Sequence, residues 1–181
     1  GHYAAVAEAR WQNDRALSLL EGWSDAEVPS RSLLIARAAA YAGYSNLLLG
    51  EGFCSGAVDG GSELTSRAIV ERAEARFSRA IEAAAAASNA ELLSLARVGR
   101  ARARLFLGRL SEARADALLV PAGFTKQAQY TGTATRVNEN NLSLAGAGVY
   151  VGEADYTIDP MYRDVRFAGM RDPRVEVIDA G

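Results

Sequence analysis

The sequence predicts a mainly α fold. A stack of antiparallel helical hairpins is expected over residues 1–121, followed by an irregular, partly β tail over 122–181 of the same domain. Three observations carry this. Apolar residues recur at helical spacing through most of the first two-thirds. Gly50, Gly108 and Pro121 stand where those stretches are expected to stop. One stretch also repeats another: 36–50 (ARAAAYAGYSNLLLG) and 94–108 (SLARVGRARARLFLG) both close on an apolar triplet and Gly, 58 residues apart (108 − 50).

Each copy leads into a second helix with a Glu-Ala step, Glu74-Ala75 and Glu112-Ala113. In the later copy, Gly108-x-Leu110-x-x-Ala113 resembles the tetratricopeptide signature at its turn. A fixed internal register of helical hairpins points to a tetratricopeptide-like stack. Two unrelated alanine-rich helices, alike by composition, are the alternative.

The first helix is read over 3–23, with Ala5, Ala9, Ala16, Leu20 and Trp23 at helical spacing. Trp11 and Trp23, the only tryptophans, are expected in the core or between helices, with ligand stacking as the second option. Ser24-Asp25 opens a turn, and Pro29 falls at the first turn of the next helix, where proline is tolerated. That helix, 30–49, carries Leu34, Ala38, Tyr41, Ser45 and Leu48 as its stripe. Gly43 lacks a side chain and suits a close crossing.

Residues 51–64 open the turn of the first hairpin as a Gly-rich insertion, and read as a long flexible loop presenting Glu51, Phe53 and Asp59. A dinucleotide fingerprint is excluded, because a helix precedes and the sixth place is Ser55. A P-loop is excluded, because this stretch holds no Lys. Cys54 lacks the leader of a lipid-attachment site. Loops of this length are often functional, so a binding loop and a structural connection both stay open.

A third helix, 65–87, is capped by Thr65 and buries Val70, Ala73, Phe77, Ile81 and Ala84. Glu71, Glu74 and Glu82 among Arg67, Arg72, Arg76 and Arg79 read as a solvated face with i, i+3 and i+4 pairs. The hairpin at 88–121 begins at Ser88 or Asn89, with Glu91 at capping-box distance from Ser88. Leu92, Leu95, Ala96, Gly99, Ala103 and Phe106 share an arc of about 100°. Arg97, Arg100 and Arg104 share another side, read as an exposed face opposed by third-helix glutamates, with an anion contact as the alternative. Gly108 ends that helix, and the next runs from near Ser111 to Pro121. Small Ala103 and Ala113 allow close approach at the turn. Beyond Pro121, short strands are expected at 129–135, 148–151 and 175–178, with a turn-prone cluster at Asn138, Asn140 and Asn141.

Composition narrows the function. A chain of 181 residues builds one core. The formal net charge of −2 supplies no field favouring nucleic acid. Lys126 is the one Lys among 20 basic residues, a bias read first as codon composition. Cys54 is alone and His2 is the only His, so neither a disulfide framework nor a histidine-based site is expected. No apolar run is long enough to span a bilayer. The chain starts inside a helical pattern and reads as a piece of something longer, its tail packing against further chain. No catalytic residue, cofactor or metal is expected.

The order of motifs resembles a known family. It runs from Ala40-Tyr41-Ala42-Gly43-Tyr44-Ser45-Asn46-Leu47-Leu48-Leu49-Gly50-Glu51-Gly52-Phe53-Cys54 through the Gly-rich insertion to Ala73-Glu74-Ala75-Arg76-Phe77-Ser78-Arg79-Ala80-Ile81. The tetratricopeptide hairpin, Val120-Pro121-Ala122-Gly123-Phe124 and Arg171-Asp172-Pro173-Arg174-Val175 follow. Together these are similar to the middle of RagB/SusD-like nutrient-uptake proteins. The resemblance implies a non-enzymatic outer-membrane lipoprotein that caps a TonB-dependent (SusC-like) transporter and passes it oligosaccharide or peptide. It also implies a ligand held by loops, here the insertion with Glu51, Phe53 and Asp59. A generic tetratricopeptide-type scaffold for protein–protein interaction is the alternative.

Overall fold

The computed structural model describes residues 2–127, 166, 167 and 169–171. The chain divides into two units, Gly1–Lys126 and Gln127–Gly181. The first holds five helices among the described residues: α1 (His2–Gly22), α2 (Arg31–Gly52), α3 (Ser66–Ala86), α4 (Ala90–Phe106) and α5 (Leu110–Leu118). Two short strands, β1 (Ser55–Ala57) and β2 (Glu63–Thr65), pair between α2 and α3. In the second unit, β3 (Arg166–Phe167) and β4 (Met170–Arg171) form an antiparallel pair closed at Gly169, whose φ is 79°. The strands expected at 129–135, 148–151 and 175–178, and the Asn cluster, lie outside the described residues. The fold is mainly α, as the periodicity indicates.

Contacts fix the helix directions. Gly43 and Gly50 of α2 face Phe77 and Val70 of α3, so these two helices run antiparallel. Arg100 and Arg104 of α4 face Asp116 and Glu112 of α5, and again the numbers run oppositely. Tyr44 and Glu51 of α2 instead meet Leu95 and Arg102 of α4, so the first helices of the two hairpins lie parallel. Asp14 and Glu21 of α1 meet Arg76 and Arg79 of α3, also parallel. Helix α1 therefore stands to α2 and α3 as α3 stands to α4 and α5.

The core is built on close approach. Phe77 is fully buried, with its ring between two glycines. A Cβ at Gly43 would lie 2.7 Å from the ring and one at Gly99 2.3 Å from it. Tyr44 meets the same ring edge-on at 4.9 Å, and its hydroxyl donates to the Leu95 carbonyl at 2.9 Å. Burial pushes the Tyr44 phenol up to about 12. Around this box Ala36, Ala39, Ala40, Ala73, Ala80, Ala84 and Ala96 are wholly buried. Alanine costs little side-chain entropy on burial and lets helices approach.

Helix ends follow local chemistry, and several differ from expectation. Thr65 caps α3 by accepting from Ala68 N–H. Asn89, rather than Ser88, caps α4 by accepting from Leu92 N–H. Ser88 takes φ 52° and closes α3, with Asn89 N–H bonded back to Ala84 O, so no capping box forms. Gly108 closes α4 in the same way at φ 79°. Gly50 does not stop α2, which runs to Gly52; a Cβ at Gly50 would sit 2.5 Å from Val70 Cγ2. That glycine serves the α2–α3 approach. Pro29 precedes α2 instead of opening it, because Ser30 takes φ 58° and Arg31 turns back to donate to Leu20 O at 2.7 Å. In the turn before it, Ser24 N–H and Oγ–H both donate to Glu27, and the hydroxyl's bond holds that carboxyl below its usual range. Helix α5 ends at Leu118, short of Pro121.

Burial corrects four readings. Trp11 and Trp23 are 54% and 44% exposed, not in the core. On α2, Tyr41 and Leu48 are exposed, because α1 and α3 cover the alanine faces instead. Phe106, the last residue of α4, is 45% exposed. The α3 charges are not only a solvated face. Arg67–Glu71 and Arg79–Glu82 pair along the helix, whereas Arg76 and Arg79 reach α1, and Glu74 binds Arg104 and Arg109. Past Pro121, Phe124 packs on the helical core and Lys126 pairs with Glu91, which places both in the first unit.

Candidate functional site

The insertion is an ordered β-hairpin, not a flexible loop. Ser55, Gly56 and Ala57 pair with Thr65, Leu64 and Glu63. At its tip Gly61 N–H donates to Val58 O at 3.0 Å, around Asp59 at φ 55° and Gly60 at φ 70°. Two successive left-handed residues are the φ signature of a type I′ turn, for which Asp-Gly is a preferred pair. Val58 is buried, which anchors the tip.

The hairpin is clamped to α1. Arg10 is 4% exposed on that helix and reaches Asp59 through Nη1 at 3.2 Å and Nη2 at 2.6 Å. The Arg10 hydrogen bond holds the Asp59 carboxyl below its usual range. Arg10 Nη1 also donates to Asp14 Oδ2 at 3.0 Å, and Asp14 Oδ1 accepts from Arg76 Nε of α3 at 2.7 Å. One chain of ion pairs thus ties the tip to two helices. At the base, the Phe53 and Tyr3 rings meet edge-on at 5.0 Å and 89°. The Tyr3 hydroxyl donates weakly to Ala57 O at 3.4 Å. Phe53 is half-buried and Tyr3 is 40% exposed, so the pair keeps open ring surface beside the exposed Cys54.

The structure brings Phe53 and Asp59 together on α1. Glu51 turns elsewhere: its carboxylate takes both Arg102 Nε at 2.8 Å and Nη2 at 2.5 Å on α4. The arginines of the second hairpin are engaged as well. Arg100 binds both Asp116 oxygens, at 2.8 and 2.7 Å. Arg104 binds Glu74 and Asp116 at 2.9 Å each, and Arg97 donates to Leu119 O. Of the stripe Arg97, Arg100 and Arg104, Arg104 meets the third-helix Glu74, which Arg109 at the turn also binds; the larger partner of the stripe is Asp116, 2% exposed on α5.

A second feature was not expected from the sequence. Between α1 and α2 lies an apolar groove of about 390 Å³, lined by Trp23, Leu19, Leu20, Leu34 and Ala38, with Asn13 and Arg37 at its polar edge. Its size is within the range of ligand pockets. The available signal was the row Trp11, Arg15, Leu19, Trp23 at i, i+4, i+8 and i+12, too apolar for a solvent face. Among the described residues no group of His, Cys, Asp and Glu could hold a metal ion. No helix among them is long and apolar enough to cross a membrane. In comparisons with known proteins, the chain matches no family model, no curated protein and no solved structure.

Proposed function

We propose that the protein is a non-enzymatic ligand-binding component of a TonB-dependent outer-membrane uptake system, similar to RagB/SusD-like proteins. It acts at the cell surface and hands an oligosaccharide or peptide to a SusC-like transporter. One observation carries the reading. The first helical hairpin holds an insertion that the second lacks, and that insertion is a rigid platform: the buried Arg10 clamps its tip while the Tyr3–Phe53 rings stay partly open at its base. A scaffold does not need this addition. An open aromatic pair on a fixed frame suits stacking on a sugar face or a peptide side chain. The saturated ion pairs of Glu51 and Asp59 give these carboxylates the task of orienting the platform, with Phe53 and Tyr3 meeting the ligand.

The partner is tested by affinity capture. The tagged protein, expressed in its own cell and extracted with mild detergent from the outer-membrane fraction, is expected to bring down a large TonB-dependent transporter. Recovery in the soluble fraction without a barrel protein contradicts the reading and favours a generic tetratricopeptide-type adaptor.

A further inference from the structure

The tip of the insertion hairpin holds the one Asp-Gly step in the sequence, Asp59-Gly60. An aspartyl residue before glycine is open to attack by its own backbone. The next amide nitrogen can close on the side-chain carboxyl carbon, and glycine has no Cβ to shield that nitrogen. Nothing else shields it here: a Cβ at Gly60 would meet no atom within 4 Å. The Asp59 side chain is 55% exposed, so water reaches it. What opposes the reaction is the partner of that side chain. Arg10 donates to both Asp59 oxygens, to Oδ2 at 3.2 Å and to Oδ1 at 2.6 Å. Arg10 is itself 4% exposed and tethered to Asp14 at 3.0 Å. A carboxylate gripped in this way is a poor electrophile, because ring closure needs the neutral carboxyl, whose hydroxyl leaves as water.

We propose that Asp59-Gly60 is a site of covalent isomerisation through a succinimide, and that Arg10 is the group that restrains it. In the first step the Gly60 amide nitrogen bonds to Asp59 Cγ and gives up its proton. The carboxyl hydroxyl takes that proton and departs as water. A water molecule then adds to one imide carbonyl. Breaking the new bond from Gly60 N to Cγ restores aspartate. Breaking the bond from Gly60 N to the Asp59 main-chain carbonyl carbon leaves isoaspartate. Atoms balance without any oxidant, reductant or cofactor. The product has one more carbon in the main chain and its carboxylate directly on Cα. The two-residue turn and the Arg10 clamp therefore cannot both re-form, and the tip comes free of α1. The lowered Asp59 carboxyl works in the same direction as the clamp, by keeping the neutral form scarce. The inference rests on the turn and the ion pair and is independent of the uptake reading.

The test compares the full chain, its Arg10→Met and Arg10→Lys variants, and a free peptide of residues 53–65. Each is held for weeks at mildly acidic pH below the melting temperature, and isoaspartate at position 59 is quantified by peptide mapping. The wild type is expected to isomerise at least about tenfold more slowly than the peptide. Arg10→Met, whose side chain refills the buried space, should isomerise at least about fivefold faster than the wild type. Arg10→Lys, which returns a cation, should fall between the two. Circular dichroism decides which variants keep the helical fold and enter the comparison. A wild type as fast as the peptide overturns the inference on its own, whatever the variants do. A folded Arg10→Met as slow as the wild type, or a folded Arg10→Lys as fast as Arg10→Met, also overturns it.

Discussion

Phe77 shows how few atoms set this packing. Its ring fits because residues 43 and 99 have no Cβ. Gly99→Ala would place a methyl 2.3 Å from it, inside any tolerable contact, so a loss of about 1–3 kcal/mol is expected in urea unfolding. Gly52→Ala, where a Cβ meets nothing within 4 Å, should be neutral or slightly stabilising. Asn46 carries the opposite lesson. It is 1% exposed; its amide donates to Ala42 O, while its Oδ1 has no hydrogen-bond partner. An unpaired buried acceptor is costly, so Asn46→Leu should hold or raise the melting temperature. A clear loss would contradict this account of Asn46. Asp59 gives a pH signature. Its carboxyl is held down by Arg10 in the folded state, so its contribution is complete above the unfolded carboxyl range and fades as pH falls through the lowered folded value. Asn also tolerates a left-handed φ, so Asp59→Asn isolates the charge. The gap between wild type and Asp59→Asn should be about 1 kcal/mol or less at pH 7, begin to narrow below about pH 4 and close only as pH falls through the lowered folded value.

The two hairpins are joined differently from element to element. Between α2 and α3 the joint is apolar, through Gly43, Gly50, Phe77 and Val70. Between α4 and α5 it is ionic: Asp116, 2% exposed, takes three hydrogen bonds from Arg100 and Arg104. Asp116→Ala removes the shared acceptor and leaves two part-buried guanidiniums short of it, though Arg104 keeps Glu74. A loss of about 2–4 kcal/mol is expected, against about 0.5 kcal/mol or less for Glu71→Ala on the exposed Arg67–Glu71 pair. Much of this element level was legible. Periodicity placed all five helices to within a few residues, because an apolar stripe and a stop such as Gly108 are local signals. Gly43 was read correctly as a close crossing. What escaped depended on partners far along the chain. Asp116 finds Arg100 only once the turn has formed, and Arg10 lies beneath Asp59 across 49 residues. The insertion reads as flexible although its Asp59-Gly60 pair is a hairpin signal, because its four glycines mask it. The size of Trp11 and Trp23 suggests the core or a helix–helix contact; both are exposed, and Trp23 lines a groove that only the packing of α1 on α2 creates.

At the scale of the helical unit, the described residues form a frame that carries the clamped platform at 51–65 and the groove between α1 and α2. The uptake reading assigns the platform to ligand and requires that stability and binding separate there. Phe53 is only half-buried and touches Tyr3 edge-on, so its truncation should cost about 1 kcal/mol, well below the 3–5 kcal/mol of a core Phe. The most direct measurement is calorimetric titration of wild type and Phe53→Ala with a panel of oligosaccharides and oligopeptides, alongside their melting curves. The account predicts that one class binds the wild type, and that Phe53→Ala weakens that binding at least about tenfold while the fold melts within a few degrees of wild type. Undiminished binding by Phe53→Ala, or a collapse of stability that makes Phe53 a plug between helices, would contradict it.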